Sequence, residues 1–130
     1  MENLQQSKSK AKPAEGKLGI LMPGLGAVAT TFIAGVFATQ KNLGKPFGSL
    51  TQMGKLRLGR RDENRTVAIK DFLPIAKLDD IVFGGWDIFE DNVYESAKNA
   101  KVLEPVLVEA LRHELEKIKP MPAVFDPLFI

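Results

Sequence analysis

Cysteine is absent from the chain. That excludes disulfides, a thiol nucleophile and any thiolate metal site, and it is compatible with the reducing cytoplasm where we expect the protein. Histidine occurs once, as His113 between Arg112 and Glu114. No second ligand or base stands near it in sequence, so it reads as a surface residue, and no metal site is expected. Charge of one sign is lacking too: 18 Lys and Arg against 16 Asp and Glu leave a net charge of +2, which gives no reason to expect nucleic acid as a partner. Internal repeats are missing. What is there, 45% hydrophobic and 26% charged residues over 130 positions, suits one soluble globular domain with a modest core.

Large apolar side chains are scarce in the first 16 residues, "MENLQQSKSKAKPAEG". Such a segment buries too little surface to offset its ordering entropy and is expected to be a flexible, weakly basic tail. Lys8, Lys10, Lys12 and Lys17 against Glu2 and Glu15 make a poor basic arm. The domain proper is expected over 17–130.

Charge is also missing from Leu18 to Ala38. About 20 apolar residues suffice to cross a bilayer, and a lysine-bearing segment precedes this one, so a membrane anchor over 18–38 is one reading. Pro23, Gly24 and Gly26 argue against it, because together they break a helix early, and Thr30 and Thr31 lower the hydrophobicity of the second half. A phosphate-binding turn accounts for more of the letters. "KLGILM" has the form of a short buried parallel strand, and Pro23 can end it. Gly24-Leu25-Gly26-Ala27-Val28-Ala29 then fits G-x-G-x-x-A. In that pattern the first glycine makes the tight turn, the second admits a pyrophosphate to the backbone, and the third small residue lets helix pack on strand. Ala27 to Gln40 reads as the following helix, with Val28, Phe32 and Val36 at a spacing of four. Its N-terminus would offer free N–H groups to phosphates.

An acid is lacking where the dinucleotide fingerprint expects one, about 20 residues after the glycines. That window reads "LGKPFGSLTQ". A substitute stands in "IVFGGWD", where Asp87 closes a β-prone run at the ligand edge of a parallel sheet. Asp87 could accept from a ribose, or it could cap a turn; spacing alone leaves both open.

The remaining segments read plainly. Lys55, Arg57, Arg60, Arg61 and Arg65 form a basic stretch that is either a phosphate clamp or, as we expect, a solvated hairpin with Asp62, Glu63 and Asn64 at its turn. "TVAIKDF" suggests a strand and a helical turn. Leu103, Leu107, Leu111 and Leu115 recur at a helical spacing, with Glu104-Pro105 suited to the start and Pro120 to the stop.

"GLGAVATT", "FGSLTQMGKLRLG", "LPIAKLDDIVFGGWDIFEDNVYESAKNAKVL" and "PMPAVFDPLFI" occur in this order. Together, from about Gly19 to Ile130, they closely resemble the N-terminal part of the inositol-3-phosphate (myo-inositol-1-phosphate) synthases. The resemblance implies an α/β fold with a Rossmann-like parallel sheet and flanking helices, an incomplete half of a larger enzyme. It implies an NAD-dependent isomerase of inositol and phospholipid biosynthesis that turns glucose 6-phosphate into a myo-inositol monophosphate. NAD oxidises the sugar at C5, enolisation and aldol closure follow, and the product is reduced. By position, Gly24, Leu25, Gly26, Ala27 and Val28 match the pyrophosphate loop, Asp87 and Ile88 the adenosine-contacting segment, and Thr30 a phosphate contact. The resemblance further implies a homotetramer, with no membrane partner. The family's catalytic lysines lie beyond the matched part, so no catalytic residue is expected here, and the 130 residues are expected to be a piece of a longer enzyme, inactive alone. Many eukaryotic relatives carry asparagines where this chain has Ala27 and Val28. Two other readings stand beside this one: the NAD-binding module of another dehydrogenase or isomerase, and a non-catalytic remnant that retains only NAD affinity.

Overall fold

A computed structural model describes residue 12, residues 15–124 and residues 126–129. The tail expected over 1–16 lies largely outside the described residues. Strand β1, Leu18–Pro23, ends at the proline, and helix α1, Ala27–Gln40, begins three residues after Gly24. A short helix α2, Leu50–Met53, leads to strands β2, Lys55–Leu58, and β3, Arg65–Ala68, and then to α3, Ile69–Phe72. Strand β4, Ile81–Asp87, is followed by α4, Val93–Ala100, α5, Pro105–Ala110, α6, Arg112–Leu115, and the two-residue strand β5, Met121–Pro122.

The main sheet is parallel with the order β1-β4-β5. Leu18 stands opposite Ile81 and Pro23 opposite Trp86, so the two long strands end together and place the glycine turn beside the end of β4. The next parallel strand after β1 is β4, and the chain between α1 and β4 forms a separate antiparallel hairpin, β2 with β3. Its turn is a short 3-10 segment, Arg61–Glu63, with Asn64 at a φ of 47°, a left-handed conformation that asparagine tolerates. The hairpin's lysine and arginines are exposed, as a solvated hairpin requires.

One face of the parallel sheet carries the core. Ile20, Met22, Ile81 and Phe83 pack under α1 and α4 to α6, whose Ile33, Val93, Val108, Leu111 and Leu115 are buried. Phe83 is met edge-on by Phe32 and Phe37 of α1, each with ring centroids 5.7 Å away. Lys41, just past α1, reaches Glu114 of α6 at 2.8 Å. Of the three residues spaced by four on α1, only Val36 is buried. Ala29, Thr30, Ile33 and Ala34 face inward with Val36, whereas Val28 and Phe32 are exposed. Small residues are needed where the helix lies closest to the strands.

The leucine series behaves as its spacing predicts at Leu111 and Leu115, both fully buried, while Leu103 and Leu107 are half-buried. The region is nonetheless three short helices. Lys101 ends α4 in a left-handed conformation, φ 53°, and Leu111 separates α5 from α6. His113 is exposed. Among the described residues no helix is long and apolar enough to cross a membrane, since 18–38 is divided between strand, turn and helix.

Candidate functional site

The site grows from the glycine turn. Gly24 has φ +95°, a conformation that side chains disfavour, and its N–H donates to the carbonyl of Trp86 at 2.7 Å. Leu25 follows with its side chain sunk into the core, 1% exposed, beneath the turn and against Gly85. Its N–H donates to Oδ2 of Asp87 at 2.7 Å. Gly26 is different. Its φ of −82° suits any residue, and a Cβ there would meet nothing within 4 Å. The fold does not require this glycine, and the missing side chain leaves room for close approach from outside.

Gly26 is also the N-cap of α1. The helix has no side-chain cap and no acidic residue in its first turn. The N–H groups of Ala27, Val28 and Ala29 therefore start a 14-residue helix with no side chain of its own first turn capping them or balancing the positive end of its dipole.

Asp87 divides its carboxylate. Oδ2 holds the turn through Leu25, and Oδ1 accepts from the N–H of Phe89 at 3.1 Å. The N–H of Leu25, then that of Phe89, holds the acid below the usual carboxylate range, against a smaller opposing effect of burial. Asp87 is thus a charged brace between two turns.

An open groove of about 390 Å³ runs from the turn along the end of β4 to α4. Gly26 and Ala27 form one wall, Asp87 and Phe89 the floor and rim, and Asp91, Ser96 and Asn99 the far side. Wider hollows exist, such as one of about 470 Å³ at Lys70 and Asp71, but that hollow lacks the turn and its free N–H groups. Chemistry decides in favour of the smaller groove.

Of the residues singled out in sequence, Gly24, Leu25, Gly26, Ala27 and Asp87 come together here. Thr30 does not join them. It is 1% exposed and its hydroxyl donates to the carbonyl of Ala27 at 3.2 Å, so it faces the core rather than a phosphate. Val28 is exposed outside the groove, and so is Ile88; the side chain at the rim is Phe89. Sequence reasoning missed Phe89, Asp91, Ser96 and Asn99. The available signal was Asn92 and Glu95, three apart, which form a reciprocal capping box and start α4 close to the end of β4.

The family model for myo-inositol-1-phosphate synthase, an NAD-binding one, matches residues 18–130. Inositol-3-phosphate synthase 1 of Bacteroides thetaiotaomicron is 52% identical over 120 residues, covering 92% of this chain and 27% of that protein. Isozyme 1 of Arabidopsis thaliana is 38% identical over 126 residues, covering 88% of this chain and 25% of that protein. The crystal structure of the Caenorhabditis elegans inositol-3-phosphate synthase superposes with a TM-score of 0.73 at 33% identity, covering 89% of this chain and 25% of that one. The chain thus spans about a quarter of the length of these relatives. Family model, sequence relatives and fold agree, and the chain belongs to the myo-inositol-1-phosphate synthase family as its NAD-binding part.

Proposed function

We propose that residues 17–130 form the NAD-binding lobe of a cytoplasmic, homotetrameric inositol-3-phosphate synthase. The whole enzyme would convert D-glucose 6-phosphate to 1D-myo-inositol 3-phosphate. The observation that carries this reading is Gly26: open space at an uncapped helix N-terminus, beside a turn held by Asp87. These residues fit a dinucleotide. Backbone N–H groups of Ala27 and Val28 would bind the pyrophosphate, and Gly26 would let it approach. The apolar side chains of Ala27 and Val28 add no contact of their own. Gly24 and Leu25 would shape the turn from below, and Asp87 would position it while its remaining lone pairs face the groove. Ile88 would contribute through its backbone, next to that carboxylate. When bound, NAD supplies reversible hydride transfer. Among the described residues no lysine or histidine lines the groove, and the part its residues play in this reading is to bind and orient the dinucleotide.

The test is calorimetric titration of the chain with NAD. Wild type is expected to bind. Gly26→Val fills the approach path and is expected to abolish binding; at the N-cap of α1 valine also costs about 1 kcal/mol in urea unfolding, so binding is compared where both proteins remain folded. Equal binding by the variant would sink the reading. The 130-residue chain alone is expected to show no turnover of glucose 6-phosphate.

A further inference from the structure

We propose that Phe89 is the platform on which the adenine of NAD stacks, a binding role that rests on the NAD reading above. Phe89 is 66% exposed and is one of the residues that line the groove. Its backbone is fixed, because the carboxylate that accepts its N–H also holds the glycine turn. Ring and turn are therefore set relative to each other by a single residue.

A dinucleotide with its pyrophosphate at Gly26 and Ala27 extends into this groove. Two of its moieties are planar, and the groove's polar groups select between them. Asp91, Ser96 and Asn99 line the far side, and the Asn99 amide donates to Asp91 at 3.4 Å. Carboxylate oxygens, an amide and a hydroxyl suit the exocyclic amine and ribose hydroxyls of adenosine. A purine also offers a broad π face for an aromatic ring. The family resemblance implies the neighbour Ile88 as an adenosine contact, but its side chain is exposed outside the groove.

The experiment titrates wild type, Phe89→Ala and Phe89→Tyr with three ligands: NAD, ADP-ribose, which lacks nicotinamide, and nicotinamide mononucleotide, which lacks adenine. Phe89→Ala is expected to weaken NAD and ADP-ribose by about tenfold, the size typical of one base stacked on one aromatic ring. Phe89→Tyr is expected to retain both affinities. Nicotinamide mononucleotide is expected to be indifferent to either change. Unchanged NAD affinity in Phe89→Ala overturns the stacking proposal, as does an equal loss for the mononucleotide. Failure of wild type to bind NAD overturns the NAD reading instead, and the stacking proposal with it. Circular dichroism and the urea midpoint are expected to stay constant across the variants, since the side chain is exposed.

Discussion

The two faces of the parallel sheet carry similar letters and have different surroundings. On the inner face Ile20, Met22, Ile81 and Phe83 lie under four helices. On the reverse face Leu21 is 59% exposed, Val82 47% and Trp86 38%. Parallel strands normally read as continuous apolar runs because both faces are covered. Here the run is present and, among the described residues, helices cover one side. The difference teaches that the apolar spelling of β1 and β4 reports a two-sided design, while the stability and the groove described here come from one side alone.

Adjacent glycines in β4 allow the comparison to be broken cleanly. Gly85 faces inward, where a Cβ would collide with the carbonyl oxygen of Met22 and come within 2.9 Å of the Leu25 side chain. Gly85→Ala is expected to lose about 3 kcal/mol in urea unfolding, at the upper end of overpacking, because a backbone atom cannot yield. A loss below about 1 kcal/mol would show that the inner face is looser than described.

Asp87→Ala comes next. Removing a charged acceptor from two backbone donors is expected to cost about 2 kcal/mol. The acid also predicts a pH dependence. Its folded-state pKa is depressed, so its contribution is present above the ordinary carboxylate range and is lost as pH falls through the lower folded value. Wild type is expected to lose stability on acidification more steeply than the variant. Parallel curves would remove Asp87 from its bracing role.

The smallest effect belongs to Gly84, on the reverse face. A Cβ there meets only the end of the Leu21 side chain, at 3.0 Å, which can swing into solvent. Gly84→Ala is expected to be neutral or to stabilise by roughly 0.5 kcal/mol, since alanine loses less backbone entropy in a strand. A loss as large as that of Gly85→Ala would mean that the two faces are equally constrained.

The local part of this architecture was legible. Pro23, the glycine pattern and the helix from Ala27 to Gln40 stand where their letters put them, because strand end, turn and helix start are short-range choices. The hairpin turn at Asn64 and the helix start at Pro105 were readable for the same reason. Long-range matters were not. Nothing between 41 and 80 announces that β1 must wait for Ile81–Asp87 as its neighbour. The spacing of Val28, Phe32 and Val36 gives the helix but not the side that meets the sheet, where of these three only Val36 is buried. In the candidate site, spacing found Asp87 but left its duty open, and the structure shows it bracing the turn. Phe89 escaped notice because its position at the rim depends on that brace.

The bond from Leu25 to Asp87 spans 62 positions along the chain. Closing so long a loop carries an entropic cost that strand pairing must meet first. The turn's final shape thus depends on β4 being docked on β1. A peptide of residues 18–40 would hold every letter of the fingerprint and lack its form. An early stretch of the described residues thus owes its shape to one 62 positions later.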